Sequence, residues 1–206
     1  MRRRAAVVVP LSPSDCWNCH SRTTLIACEK CGVLQEAPDS INSFALFSLP
    51  EGLAINSEKL RDTFYSLSKT VHPDKYFGKS PRESLLATRW SALINKNYLR
   101  LKDDEDRSLY LLELKKVGLS KNPPTELAEM YFEIQDSSDE EELRKFEKVL
   151  SDMTDSNRKE WEGLAKGWSD SKVDSLRKNI ETKRYLQSML ADLRKKLGED
   201  DGNSRH

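Results

Sequence analysis

Three groups of residues in this chain have types and spacings that could do chemistry. The first is Cys16-Trp-Asn-Cys19 and Cys28-Glu-Lys-Cys31-Gly32, two CxxC units eight residues apart that hold all four cysteines. Each unit can wrap one side of a tetrahedral metal with two thiolates, and Gly32 permits the turn that such a knuckle needs. The expected occupant is structural zinc (Zn2+), with an iron site or a redox pair as alternatives, because four cysteines complete the shell. His20, beside Cys19, could replace a thiolate, but it reads as a residue that follows the ligand. The second group is His72-Pro73-Asp74-Lys75. Proline disfavours helical geometry in the residue before it, so a helix arriving here stops near His72 and leaves imidazole, carboxylate and ammonium on a surface turn. The third is Phe132, an aromatic among acids. If Leu127 points inward, Phe132 lies ~140° away on the same outward half as Ala128, Glu129, Glu133 and Asp136. The alternative is that neighbouring elements wrap around and cover the ring.

The elements that must hold these residues are helices. Asn56 is a good N-cap for a helix with Leu60, Phe64, Leu67 and Val71 on one face, the helix that ends at His72. Ser80-Pro81-Arg82-Glu83 is a capping box, and behind it Leu86, Trp90 and Leu93 with Ala87, Ile94, Tyr98 and Leu101 give a wide apolar face. Joined by a short loop, the two helices pack antiparallel with the His-Pro-Asp turn at the tip. Residues 42 to 50 predict a short helix stopped by Pro50, and residues 105 to 116 a further one closing at Gly118. Asn122-Pro123-Pro124 is a stiff break. Beyond it come three stripes: Leu127, Met130, Tyr131 and Ile134; then Leu143, Phe146, Leu150, Met153, Trp161, Leu164 and Trp168 behind a capping box from Ser138 to Glu141; then Val173, Leu176, Ile180, Leu186, Leu190, Leu193 and Leu197. Three such helices make a small antiparallel bundle. Tyr185 stands ~100° off the last stripe and is expected beside the core, exposed.

Composition narrows the function classes. The 206 residues carry 34 Lys+Arg against 34 Asp+Glu, and this zero net charge with no basic stripe argues against a nucleic-acid partner. No run approaches the ~18 apolar residues of a membrane span. Charged residues at 33% and hydrophobic ones at 37% fit solvated helices with narrow apolar stripes. Cysteines confined to one short stretch suit a metal site in a reducing compartment. Residues 1 to 15, with Arg2, Arg3 and Arg4, read as a disordered N-terminus, with a short mitochondrial presequence as the alternative. The tail from Gly198 is polar and expected to fray.

In chain order, the CWNC…CxxC knuckle, Phe44-Ala-Leu-Phe-Ser-Leu-Pro50, the helix ending in His72-Pro-Asp-Lys-Tyr-Phe77, the block Ser91-Ala-Leu-Ile-Asn95 to Tyr98, Arg107 to Leu112 and a C-terminal helical domain resemble the HscB family, J-type co-chaperones of iron-sulfur cluster assembly. The resemblance spans residues 16 to 197, and the four-cysteine N-terminus occurs in part of that family. It implies an all-α chain: a disordered 1–15, a zinc-binding module and linker at 16–40, a helical-hairpin J-domain at 41–118, a linker at 119–124 and a scaffold-binding bundle at 125–206. It implies a non-enzymatic co-chaperone that stimulates a DnaK/HscA-type chaperone ATPase of the heat shock protein 70 family. The chaperone-binding residues would be His72, Pro73, Asp74 and Lys75, with Arg61 and Lys69 as a basic face. An IscU-type iron-sulfur scaffold protein would bind Ala128, Glu129, Phe132, Glu133, Asp136, Glu140 and Tyr185. Ala128 and Glu129 depart from the family's usual large apolar residues. A general J-domain co-chaperone with another client is the alternative. A zinc-dependent oxidoreductase or hydrolase is disfavoured, because one tetrahedral site uses every cysteine and Pro73 abuts His72. The expected compartment is the cytoplasm of a bacterium, or else the mitochondrial matrix. Loss of the metal is expected to unfold the cysteine module alone, since the helical domains bury their own stripes.

Overall fold

The computed structural model of the chain describes residues 13–120 and 122–199. Seven helices carry these residues: α1 (Ser43–Leu46), α2 (Ser57–Val71), α3 (Pro81–Lys102), α4 (Asp104–Leu114), α5 (Thr125–Asp136), α6 (Glu140–Lys166) and α7 (Val173–Lys196). Among the described residues the cysteine segment adds to the expected all-α chain a two-residue ribbon and an isolated antiparallel bridge, Ala27 to Leu34. Strand β1 (Ser14–Asp15) pairs antiparallel with β2 (Arg22–Thr23), Ser14 facing Thr23. Thus the end of the segment expected to be disordered is ordered, and residues 1–12 lie outside the described residues.

The chain divides into two compact units, Met1–Arg107 and Ser108–His206. The division falls inside α4, ahead of the 119–124 stretch, and hydrogen bonds give the reason. Arg107 is 4% exposed. Its Nε donates to Leu53 O at 2.7 Å and its Nη1 to Leu101 O at 2.6 Å, while Nη2 pairs with Asp104. A buried guanidinium needs such partners, and here they are all in the first unit. The next residue, Ser108, instead accepts from Trp161 Nε1 at 3.0 Å in the second.

In the first unit, Asn56 Oδ1 accepts from the Lys59 amide at 2.8 Å and opens α2, which buries Leu60, Leu67 and Val71. The facing side of α3 buries Leu86, Ala87, Trp90 and Ile94, and the Phe64 and Tyr98 rings stack with centroids 4.0 Å apart. Ser80 accepts from the Glu83 amide and its hydroxyl donates to the Glu83 carboxylate, so the expected Ser80–Glu83 cap forms, with the return bond made to the hydroxyl. Two helices end earlier than their prolines or glycines suggest. α1 closes through Ser48 at φ 53°, with the Leu49 amide reaching back to Phe44 O, and α4 closes through Lys116 at φ 57°, with Val117 reaching Leu112 O. Each is the left-handed stop that glycine usually supplies, held in an L-residue at a cost of roughly 1–2 kcal/mol.

In the second unit, α7 runs antiparallel to α6 and parallel to α5. Asn157 lies against Asn179 and Glu147 against Arg194, whereas Tyr131 meets Asp192 and Ile134 meets Lys196. Leu127, Ile134, Leu143, Leu150, Leu186, Met189 and Leu193 form its core cluster. The cap of α6 is Asp139, not Ser138: its carboxylate accepts from the Glu141 amide at 3.0 Å, and Ser137 donates to Glu142 at 2.6 Å. Gly198, at φ 74°, ends α7, and the Glu199 amide bonds to Arg194 O, so the first residues of the expected frayed tail are ordered. Residues 200–206 of that tail lie outside the described residues. No helix among the described residues is long and apolar enough to cross a membrane.

Candidate functional site

The two CxxC units fold as near copies. The His20 amide donates to Cys16 O at 2.9 Å and the Gly32 amide to Cys28 O at 2.8 Å; Cys16 N then bonds to Ser21 O and Cys28 N to Val33 O. His20 (φ 58°) thus occupies the left-handed position that Gly32 (φ 76°) fills in the second knuckle. It is a turn residue, outside the ligand set. The four sulfurs all lie within 4.8 Å of one another, with Cys16–Cys31 at 3.5 Å and Cys19–Cys28 at 3.6 Å. Metal–thiolate bonds of about 2.3 Å place tetrahedral sulfurs about 3.8 Å apart, so Cys16, Cys19, Cys28 and Cys31 are positioned to hold a metal ion. The thiols are correspondingly unequal. Burial pushes Cys16 up, yet the Cys19 and Asn18 amides, the Cys31 sulfur and the Gln35 amide together bring it down to about 6. The Ser21 backbone amide and hydroxyl lower Cys19. Cys31, although the Val33 amide pulls it down, is raised to about 11 by burial and by the Cys19 and Cys16 sulfurs.

His72 terminates α2, and Pro73–Tyr76 form a short 3₁₀ turn. His72, Pro73, Asp74 and Lys75 are all exposed. The turn is nonetheless tightly held. His72 Nδ1 accepts from the Asp74 amide at 3.3 Å and lies 3.6 Å from the Asp74 carboxylate. Tyr76 is the pedestal: its ring is buried, its hydroxyl donates to Thr70 O at 3.2 Å, and its carbonyl accepts from Ser84 Oγ at 2.9 Å. Arg61 and Lys69 are exposed on α2, and Arg61 Nε sits 3.7 Å from Asp62, which offsets part of the expected basic face.

On α5, Phe132 is 68% exposed, so no neighbouring element covers it among the described residues. Glu129, Glu133, Asp136 and, at the start of α6, Glu140 are exposed. Tyr185 differs from expectation: it is half-buried and packs against the core cluster. Phe132, Ala128 and Tyr185 nevertheless share a hollow of ≈ 330 Å³ lined also by Leu127, Tyr131 and Met189. The small Ala128 side chain helps leave that hollow open, and the four acids lie outside its lining. Tyr131 donates its hydroxyl to Asp192 at 3.2 Å, which with the Asp192 charge raises the phenol's pKa.

Two residues escaped the sequence reading. Phe77, directly after the turn, is 91% exposed, and an aromatic with no place in either hairpin stripe was the available signal. Gln35 is 4% exposed and contacts Cys16 Sγ; as an isolated polar residue in a stretch without periodicity it gave none.

No family model matches the chain. The iron-sulfur cluster co-chaperone protein HscB homolog of Arabidopsis thaliana is 26% identical over 196 residues, covering 90% of this chain and 75% of that protein. The co-chaperone protein HscB homolog of Shewanella amazonensis is 38% identical over 85 residues, 41% of this chain and 49% of that protein, so the match spans about half of the bacterial relative. The crystal structure of human co-chaperone protein HscB superposes with a TM-score of 0.69 at 19% identity, over 89% of this chain and 98% of that one, a likeness of fold.

Proposed function

Since the chain belongs to the HscB family of iron-sulfur cluster co-chaperones, we propose that it couples an IscU-type scaffold to a DnaK/HscA-type chaperone and stimulates that chaperone's ATPase without being an enzyme itself. The observation that carries this reading is the His72–Lys75 turn, in which imidazole, carboxylate and ammonium are exposed together on a rigid support. A surface that presents opposite charges in fixed register suits electrostatic recognition of one partner. Arg61 and Lys69 extend it along α2. Phe132 with Tyr185 and Ala128 forms the scaffold-binding face, and Glu129, Glu133, Asp136 and Glu140 give it an acidic rim, the arrangement of an apolar anchor within polar surroundings. Zinc occupies the four-cysteine site in a structural role, as a closed thiolate shell requires.

The test is His72→Gln. His72 is exposed, and the one hydrogen bond of its side chain, accepted from the Asp74 amide, is one that a glutamine side-chain oxygen can also accept, so the variant's stability by circular dichroism stays within about 1 kcal/mol of wild type. Single-turnover ATP hydrolysis by the chaperone loses its stimulation. A folded variant that stimulates normally would refute the assignment of this turn.

A further inference from the structure

The metal site and the α2–α3 hairpin meet at one buried residue. Gln35 Nε2 donates to Cys16 Sγ at 3.5 Å and to Val33 O at 2.9 Å. The Gln35 carbonyl accepts from Trp90 Nε1 at 2.8 Å, and its amide donates to Ile26 O at 2.8 Å. Trp90, on α3, is 0% exposed, as is Leu34. A second attachment runs beside the first. Trp17, between the first two cysteines, donates Nε1 to Leu34 O at 2.7 Å, and the Arg82 guanidinium of α3 lies over its ring at 4.3 Å. Arg82 also pairs with Glu36 at 2.7 Å. The cysteine segment accordingly falls in one compact unit with α2 and α3.

We propose that Gln35 is a positioning residue that couples metal occupancy to the order of α3. A metal held by the four cysteines fixes the position of the Cys16 sulfur, and with it the Gln35 side chain that donates to that sulfur as an outer-shell partner. The metal therefore steadies Gln35, whose backbone carbonyl holds the indole at the centre of the hairpin. Coupling of this kind is reciprocal: whatever the metal does for α3, α3 must do for metal affinity. This changes the expectation that metal loss unfolds the cysteine module alone, because the floor of that module is Trp90. The inference rests on reading the four cysteines as a metal site, not on the co-chaperone activity.

Hydrogen exchange on the full-length chain, zinc-loaded and then stripped with a chelator, tests it. The amides of α3 around Trp90 exchange about tenfold faster after stripping, as a local opening would make them, while those of α6 and α7 are unchanged. Competition for zinc against a chromophoric chelator gives the reciprocal arm: Gln35→Leu and Trp90→Phe each lower zinc affinity about 10- to 100-fold, the usual effect of losing an outer-shell partner. Should Trp90→Phe fail to fold, Gln35→Leu decides, since its side chain lies outside the hairpin stripes. Unchanged α3 protection on stripping, or zinc affinity unchanged in the folded variants, overturns the coupling. A wild-type chain that takes up no zinc overturns the metal reading beneath it, an outcome visible before either arm is run.

Discussion

Truncating the two aromatics of the α5–α7 hollow separates binding from packing. A fully buried phenylalanine costs about 3–5 kcal/mol when cut to alanine. Phe132 is 68% exposed, so only the buried third of its surface is lost from the free protein, and Phe132→Ala should cost about 1–2 kcal/mol of stability on that scale. Tyr185, half-buried against the core cluster, should cost more on truncation, and Leu186→Ala, at 0% exposed, about 2–5 kcal/mol. Scaffold affinity should follow a different order. An exposed aromatic that becomes enclosed in an interface behaves as an anchor worth about 2 kcal/mol or more, roughly a 30-fold rise in Kd for Phe132→Ala. Urea denaturation of each variant and calorimetric titration with the IscU-type scaffold supply the two columns. Stability loss in Phe132→Ala equal to that in Leu186→Ala would show that the ring is core. Unchanged affinity in the Phe132→Ala/Tyr185→Ala double variant would put the binding face elsewhere.

Lys196 Nζ donates to Ile134 O, Gln135 O and Ser137 O at 2.7, 2.5 and 2.9 Å, closing the C-terminus of α5 from a neighbouring helix; Lys196→Met should lower stability in urea by about 1 kcal/mol, and a neutral result would show the cap is replaced by water. Asn157 and Asn179 donate side-chain amides to each other's backbone carbonyls at 3.2 and 2.9 Å while buried. Leucine at either one removes one buried hydrogen bond to a carbonyl that keeps its own helical bond and should cost about 0.5–1.5 kcal/mol; because each bond runs from one side chain to the other residue's backbone, the double variant should cost about the sum, and a loss near zero in urea denaturation of the single variants would show that these bonds contribute nothing. The Asp192 hydrogen bond and charge raise the Tyr131 pKa, so the folded chain keeps the phenolic proton to higher pH than the unfolded chain does. That contribution is complete below about pH 10 and is lost as pH rises through the folded value. Denaturation midpoints at alkaline pH should therefore fall more steeply in wild type than in Tyr131→Phe, and parallel slopes would refute it.

The elements were legible where local chemistry decides them. Asn56 and Ser80 announce α2 and α3, the stripe ending at Val71 meets proline and must stop, and two CxxC units can converge on one ion whatever surrounds them. The misses came where local chemistry leaves more than one choice or where the deciding contact is remote in sequence. Ser48 and Lys116 take left-handed stops that composition assigns to proline or glycine neighbours, and the closing bonds from Leu49 to Phe44 O and from Val117 to Leu112 O hold them there. Asp139 and Ser138 are both good capping residues, so local chemistry alone does not choose between them; α6 begins at Glu140, which makes Asp139 the cap. Asn157, Asn179 and Glu181 look like surface residues in a charged helix, yet each is buried with a partner: the two asparagines hold each other, and Glu181 accepts from the Ser120 amide at 2.5 Å. A helical wheel placed Phe132 correctly from one reference direction, but it cannot show how wide the buried stripe of a helix is, and so overstated the exposure of Tyr185, which packs at the edge of the core cluster.

The Tyr76 pedestal has a consequence for the thermodynamics of docking. Fixing one backbone residue of a free loop costs roughly 1–2 kcal/mol of conformational entropy. In the His72–Tyr76 turn that freedom is already lost in folding, through the 3₁₀ backbone, the Thr70 and Ser84 hydrogen bonds and the buried phenol ring. A partner meeting this turn need not order it, so a contact made by only three or four side chains can leave most of its interaction energy as affinity. Loosening the pedestal, as Tyr76→Ala would, should therefore weaken association chiefly through entropy, visible as a more unfavourable −TΔS at nearly unchanged enthalpy while every exposed side chain of the turn stays in place.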